Sequence, residues 1–171
     1  ARAFAAGRSD VAANATNSDT IEAAAAAAAD AAVSAIVAAA RPIDAIILAT
    51  IGLKGGIGKS TLATNIGDAL GEGGAPVLVI DVDRQATSAD WSATAAKRKT
   101  APANLTVTRI ETSQLAAELP KRAAGQRVIV LDCPASLDIE TRAAMLIADF
   151  LLLPVIPGPA EVWALAQTLE L

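Results

Sequence analysis

The 171-residue sequence contains no histidine and no tyrosine, and aromatic residues make up only 2% of it. The lack of histidine removes the side chain that most often serves as a general base or metal ligand near neutral pH. Any acid–base chemistry therefore falls to carboxylates and lysines. With so few aromatic residues, the core has to be built from Ala, Val, Ile and Leu. That composition suits a parallel β-sheet covered by helices.

Cysteine and positive charge are also scarce. The single cysteine, Cys133, excludes an internal disulfide and a zinc site built on cysteines of one chain, and it fits a reducing compartment. The formal net charge of -4 does not favour nucleic-acid binding through bulk charge, although a local basic patch is compatible with it. We therefore expect a cytoplasmic protein.

The first 41 residues differ in composition from the rest and are predicted to be an Ala-rich N-terminal extension, partly helical or disordered. Residues 1–20 are small and polar, so we expect them to be loosely ordered. Asp19 and Glu22 have the spacing of a capping box, which predicts a helix start at this point. The alanine run that follows has high helix propensity, and Pro42 is expected to end the helix.

No membrane span is predicted, although the stretch Ala23–Ala40 is long and apolar. Alanine contributes little to membrane insertion, and a charged residue such as Asp30 in mid-segment costs about 2.5–3.5 kcal/mol. Four apolar residues share one face of the predicted helix and could dock it weakly: Val33, Ile36, Val37 and Ala40.

From residue 42 to residue 171 the pattern changes to alternating apolar runs and amphipathic stretches, which predicts one α/β domain. Repeated strand–helix units favour a mostly parallel sheet flanked by helices, with right-handed crossovers. The predicted strands cover 43–51, 76–80, 105–110, 127–131 and 150–153. The predicted helices cover 59–71, 87–99, 113–124, 139–147 and 160–171.

A glycine-rich turn joins the first predicted strand to the helix after it. Its glycines let the backbone wrap around phosphate oxygens, with N–H groups pointing inward and the helix N-terminus adding positive charge. Lys59 supplies a charge to the β and γ phosphates, and the Ser60 hydroxyl can ligate Mg²⁺. The ordinary formula G-x-x-x-x-G-K-[ST] fails, because its first glycine would fall at Leu53. The pattern K-G-G-x-G-K-[ST] matches instead, over Lys54, Gly55, Gly56, Ile57, Gly58, Lys59, Ser60 and Thr61.

This variant loop resembles that of the ParA/MinD family of ATPases, and further segments in the same order carry the resemblance. Residues 81–85 are similar to the family's D-x-D-P-Q segment, with Arg84 in place of the proline. Residues 128–134 resemble its Walker B strand and the switch after it, and residues 154–157 resemble its P-V-x-P segment. Trp91, shortly after the D-x-D segment, is similar to a residue of small plasmid-partition ATPases of the ParF kind.

The resemblance covers about residues 43–171 and implies a P-loop NTPase fold. Because the family domain normally continues further, the chain is expected to be C-terminally truncated. The implied function is that of an ATPase that dimerises when it binds ATP with Mg²⁺, and that partitions plasmid or chromosomal DNA or positions another intracellular cargo. A ParB-like partner would stimulate hydrolysis, and the dimer would bind DNA without sequence preference, placing it on the nucleoid. Lys54 would reach the nucleotide of the facing subunit.

Three aspartates fall where predicted strands end. Ligands of parallel α/β sheets sit at the carboxyl ends of the strands, so these residues are expected beside the phosphate loop. Asp132 follows four apolar residues and can hold Mg²⁺ together with Ser60, through water. The resemblance gives Asp83 the role of orienting or activating the attacking water. Asp81 is either part of the site or a helix cap or loop carboxylate.

Two other functions remain open from the sequence. One is a MinD-like ATPase that positions cell division on a membrane, which requires a C-terminal amphipathic helix beyond residue 171. The other is a non-catalytic interaction module, a domain too short to close around ATP. The sequence identifies neither the cargo nor the partner.

Overall fold

The computed structural model describes residues 2–40, 43–83, 85–98, 100, 102–136, 138–158, 163, 165 and 166. The described ranges form helices α1 Arg2–Ala40, α2 Lys59–Glu72, α3 Thr87–Arg98, α4 Thr112–Ala123 and α5 Ile139–Ile147. They form strands β1 Ile46–Thr50, β2 Val77–Asp81, β3 Leu105–Arg109, β4 Val128–Asp132 and β5 Phe150–Leu152. Each strand predicted from the sequence is present. Pro42, Arg84 and most of the predicted helix 160–171 lie outside the described residues.

The five strands form one sheet in the order β3-β2-β4-β1-β5, and every neighbouring pair is parallel. This confirms the predicted P-loop NTPase-like fold with a parallel sheet flanked by helices. The register places Thr50 beside Asp132 and Asp132 beside Asp81, at the carboxyl ends of the three central strands. The sheet therefore brings together residues from distant parts of the sequence at one edge.

The central strands are buried on both faces, which explains their uninterrupted apolar sequences. In β2, Leu78 and Ile80 join a core cluster that includes residues of α4 and α5. The alternating residues Val77 and Val79 join a second cluster with residues of α2, such as Ala63. Because successive side chains of a strand point to opposite faces, the helices cover both sides of the sheet.

Helix α2 lies very close to the sheet at Gly67. A Cβ atom at this position would be 2.6 Å from Val79 Cγ2 and 3.1 Å from Leu105 Cδ1. A distance of 2.6 Å is far inside van der Waals contact, so only glycine fits without displacement of the helix. This approach fixes the height of α2 above the sheet, and with it the position of the residues that begin the helix.

Helix α1 differs from the loosely ordered segment expected up to Thr20, because it begins at Arg2 and continues to Ala40. The segment is rich in alanine, which has the highest helix propensity, and no proline interrupts it. The helix therefore does not start at Asp19, where the capping-box spacing predicted a start.

The chain divides into two compact units, Ala1–Ala32 and Val33–Leu171. The last turns of α1 belong to the second unit, where Val33, Ile36 and Ala40 are buried in the core, as their shared face predicts. The predicted division into residues 1–41 and 42–171 stays a prediction.

Among the described residues, one helical segment, Thr20–Ala40, is long and apolar enough to cross a bilayer, with a mean hydropathy of 1.8. Helices of soluble cores and signal sequences near an N-terminus satisfy the same criterion. The expected absence of a membrane span stays a prediction.

Candidate functional site

The loop between β1 and α2 has the backbone shape that its glycines predict. Gly56 and Gly58 have φ angles of 73° and 94°, in the left-handed region that favours glycine. Among the described residues other than each glycine and its two neighbours, no heavy atom lies within 4 Å of the position that a Cβ would take at Gly56 or Gly58. The loop is therefore open where a larger side chain would stand, which leaves space for phosphate oxygens at the N-terminus of α2.

Gly52 is a further glycine that this loop requires, although it belongs to no predicted site. Its φ is 150°, and a Cβ there would be 2.9 Å from Ile57 Cδ1. Ile57 thus packs over the start of the loop rather than facing a ligand. The signal was present in the sequence, but Gly52 falls one place away from the first glycine of the ordinary P-loop formula.

Lys59 begins α2 and is only 7% exposed. Its ammonium nitrogen donates a hydrogen bond to the carbonyl oxygen of Lys54 at 3.2 Å. Burial lowers the pKa of Lys59 from its ordinary value, and the negative charges of Asp132 and Asp83 partly oppose this shift. The arrangement places a cation beside the phosphate loop, close to two carboxylates.

Asp132 ends β4 and is fully buried. The Thr50 hydroxyl donates to its Oδ1 at 3.3 Å, and the Ser88 hydroxyl donates to its Oδ2 at 2.6 Å. Burial raises the pKa of Asp132, and hydrogen bonds from Ser88, Ser60 and Thr50 act against that rise. The structure thus brings together Ser60 and Asp132, the two residues predicted to hold a metal.

Asp81 caps a helix, one of the two roles left open by the sequence. Its Oδ2 accepts the backbone N–H groups of Ser88 at 2.9 Å and Ala89 at 3.1 Å, at the start of α3. Its Oδ1 accepts the N–H of Asp83 at 3.1 Å. Burial raises the pKa of Asp81, although the Ala89 N–H lowers it. This carboxylate therefore anchors the segment that carries Asp83.

A cavity of about 490 Å³ opens above the phosphate loop, a volume within the range of small-molecule sites. Seven of the predicted residues line it: Gly55, Gly56, Gly58, Lys59, Ser60, Thr61 and Asp83. Five residues that were not assigned from the sequence also line it: Gln85, Thr87, Pro134, Ala135 and Ser136.

Three predicted residues lie outside this lining. The Lys54 side chain is exposed, Ile57 packs against the loop, and Asp132 is buried but hydrogen-bonded to the cavity-lining Ser60. Cys133 is buried as well, and burial raises the pKa of its thiol, so the reactive thiolate is disfavoured.

The residues present fit Mg²⁺ bound together with a nucleotide. Mg²⁺ prefers oxygen ligands and in nucleotide sites is held by one or two carboxylates and by phosphates. The Ser60 hydroxyl and the Asp132 carboxylate supply such oxygens. In the part of the chain that the structure describes, no group of three or more His, Cys, Asp or Glu could hold a metal by itself. A Mg²⁺ ion held by Ser60 and Asp132 would take further ligands from phosphate oxygens.

Comparison with known proteins also indicates a nucleotide-binding domain. Residues 48–151 match the family model described as the CobQ/CobB/MinD/ParA nucleotide binding domain. The chain is 35% identical over 128 residues to "Maintenance of carboxysome distribution protein A" of Halothiobacillus neapolitanus. That match covers 74% of this chain and 58% of the relative, so the chain spans well under two thirds of the relative's length.

Two solved structures share the fold at low sequence identity. A plasmid partition protein from Borrelia burgdorferi has a TM-score of 0.56 and 21% identity, with 74% of this chain and 72% of that chain covered. A cobyrinic acid a,c-diamide synthase from Mycobacterium smegmatis, with bound ADP and magnesium, has a TM-score of 0.60 and 21% identity. That match covers 74% of this chain and 66% of the synthase.

Proposed function

Because this chain belongs to the CobQ/CobB/MinD/ParA family of nucleotide-binding domains, we propose that it binds ATP with Mg²⁺ and hydrolyses it as a positioning ATPase. One observation carries the proposal. The parallel sheet brings Lys59, Ser60 and Asp132 together beside an open glycine loop, although Asp132 is far from the other two in the sequence. Ligands of parallel α/β sheets sit at this edge.

Each residue of the loop has a role that its position supports. The backbone N–H groups of Gly55, Gly56 and Gly58 would bind the phosphate oxygens at the positive end of α2. The Lys59 ammonium, already beside the loop, would neutralise the β and γ phosphates. Ser60 and Asp132 would hold Mg²⁺, which when bound offsets the negative charge of the phosphates.

Hydrolysis would depend on Asp83 and on a second copy of the chain. Asp83 lines the cavity, and in a chain without histidine its carboxylate is a candidate for orienting or activating the attacking water. Lys54 is exposed, which suits a contact with the nucleotide of a facing subunit. We propose that ATP stabilises such a homodimer and that hydrolysis removes the contacts that hold it together.

The likeness to a carboxysome distribution protein at 35% identity supports positioning of an intracellular assembly in the cytoplasm as the cargo function. The likeness to a plasmid partition protein, at 21% identity, concerns the fold alone. We also propose that a ParB-like protein stimulates hydrolysis and that the dimer moves on a DNA surface.

Calorimetric titration of the chain with ATP, with Mg²⁺ and with EDTA, tests the proposal directly. Inorganic tripolyphosphate in a parallel titration reports on the phosphate loop without the adenine. We expect both to bind with an affinity that Mg²⁺ increases, and ATP to release phosphate slowly. If neither ligand binds in either condition, the proposal is wrong and a non-catalytic interaction module becomes the better description.

A further inference from the structure

Ser88 connects the two buried aspartates at the ends of β2 and β4, and it belongs to none of the motifs found in the sequence. Its backbone N–H donates to Asp81 Oδ2 at 2.9 Å, and its hydroxyl donates to Asp132 Oδ2 at 2.6 Å. Ser88 is fully buried, near the start of α3, and lies 44 residues from Asp132 in the sequence. One residue thus bridges the helix after the Asp83 segment and the carboxylate proposed to hold the metal.

The hydroxyl contact has the geometry of a strong hydrogen bond. Distances of about 2.5–2.7 Å are typical of a hydroxyl that donates to an ionised carboxylate. A serine has a single hydroxyl proton, so the bond to Asp132 fixes the orientation of the Ser88 side chain. Thr50 donates to the other carboxylate oxygen of Asp132, so the group is held from both sides.

The capping of α3 does not require this hydroxyl. A serine near a helix start commonly uses its own side chain to accept backbone N–H groups. Here the Asp81 carboxylate accepts the N–H groups of Ser88 and Ala89, and the serine hydroxyl is directed to Asp132 instead. The side chain therefore has a contact that helix formation alone does not explain.

Hydrogen bonds connect the described residues on both sides of position 84 to one another and to Asp81. The Asp83 N–H binds the other oxygen of Asp81, and the Ala86 N–H binds the Asp83 carbonyl oxygen at 3.1 Å. Ala86 has a φ of 54°, a left-handed conformation that is unfavourable for a residue with a Cβ. Because Asp81 accepts the N–H groups of both Asp83 and Ser88, a displacement of Ser88 is expected to displace Asp83.

We propose that Ser88 is a positioning residue whose hydroxyl couples the orientation of Asp132 to the placement of Asp83. The proposal rests on the proposed function, because it assigns Asp132 to the metal and Asp83 to the water. We expect Mg²⁺ binding at Asp132 to shift the start of α3 and the segment that carries Asp83 together, through the Ser88 hydroxyl. Trp91, three residues after Ser88 on the same helix and 36% exposed, lies where that change is measurable.

The test uses Ser88→Ala, and Ser88→Cys, which keeps a side chain of similar size but is a weak donor. Ser92→Ala, one helical turn later and half-buried, is the matched control. All are made with Trp163→Phe, which leaves Trp91 as the sole tryptophan. Trp91 fluorescence is followed during Mg²⁺ titration of the ADP-bound chain, and ADP affinity is measured by calorimetry both with Mg²⁺ and in EDTA.

We expect both Ser88 variants to raise the Mg²⁺ concentration at the midpoint about tenfold, as other substitutions beside metal ligands do. Their ADP affinity in EDTA should change much less, and the Ser92→Ala control should match the parent in both measurements. If Ser88→Ala fails to fold, Ser88→Cys alone decides the result.

Unchanged Mg²⁺ midpoints in the Ser88 variants would overturn the coupling and leave the proposed function intact. An equal loss of ADP affinity with and without Mg²⁺ would also overturn it, because that pattern indicates a structural role only. A parent chain that binds no ADP in either condition overturns the proposed function, and the coupling with it.

Discussion

The ammonium nitrogen of Lys59 donates a hydrogen bond to the carbonyl oxygen of Lys54 at 3.2 Å. The contact ties a buried cation to the beginning of the phosphate loop, whereas the Lys54 side chain is exposed. The two lysines of the motif therefore occupy different environments. Substitution of each should have a different effect on nucleotide binding and on self-association.

Replacement of Lys59 should weaken nucleotide binding. Lys59→Ala deletes the cation beside the loop. Hydrogen bonds to charged groups contribute about 1.5–3 kcal/mol, so we expect ATP affinity to fall about ten- to a hundredfold. Calorimetry measures the loss, with Lys97→Ala, an exposed lysine of α3, as the control. Unchanged affinity in Lys59→Ala would show that this loop does not hold the phosphates.

Replacement of Lys54 should affect the dimer rather than the single chain. Because the Lys54 side chain is exposed and does not line the cavity, Lys54→Ala should bind nucleotide nearly as the parent does. It should lose dimerisation with a non-hydrolysable ATP analogue, measured by light scattering against ADP, while Lys121→Ala retains it. A Lys54→Ala variant that still dimerises would indicate a self-contained P-loop. A parent chain that stays monomeric with the analogue would contradict the proposed ATP-dependent dimer.

Replacement of Asp83 should separate binding from turnover. Asp83→Ala removes the carboxylate proposed to orient or activate water, and such groups contribute about a hundredfold or more to rate. We expect ATP binding to persist and phosphate release to fall by about that factor. Asp90→Ala, an exposed carboxylate on α3, should behave as the parent. Undiminished phosphate release in Asp83→Ala would remove Asp83 from the mechanism.

Replacement of Asp81 should destabilise the fold. Asp81→Ala leaves the N–H groups of Ser88 and Ala89 without their partner, and an unsatisfied buried donor costs about 1–3 kcal/mol. Removal of a charge near Asp132 offsets part of this cost, so we expect a net loss of about 2 kcal/mol in the free energy of unfolding. Urea denaturation measures it against Asp90→Ala. A loss below about 0.5 kcal/mol, the range of ordinary surface substitutions, would contradict the capping role.

Replacement of Gly67 should also destabilise the fold, although alanine is the better helix former. In an exposed helix, Gly→Ala stabilises by about 1 kcal/mol. At Gly67 the new Cβ would be 2.6 Å from Val79 Cγ2, and overpacking of this kind costs about 1–3 kcal/mol. A double-mutant cycle with Val79→Ala should show favourable coupling, because the smaller side chain relieves the overlap. Additive effects would mean that the overlap is relieved by movement elsewhere.

Much of the fold could be predicted because the relevant signals are local. The uninterrupted apolar runs predict strands buried on both faces, and their alternation with amphipathic stretches predicts parallel connections. The glycine pattern at residues 55–58 predicts a loop that can wrap around phosphate oxygens, and Gly56 and Gly58 have the left-handed φ angles that glycine favours. The conformational freedom of glycine depends on the residue type alone, so the sequence is enough to predict where such a loop can form.

The contacts around Asp132 depend instead on the register of strands that are far apart in the sequence. Thr50 and Asp81 flank Asp132 only because β1 and β2 pair with β4 in one particular alignment. Ser88 reaches the same carboxylate because α3 starts at Thr87, close to the carboxyl end of β2, where Asp81 accepts N–H groups of the helix. A serine in a helical segment has no sequence signal for such a contact. The sequence by itself determined the candidate residues for phosphate and metal binding. The tertiary structure decided which neighbours orient them, because hydrogen-bond partners across a sheet are set by register and packing rather than by local pattern.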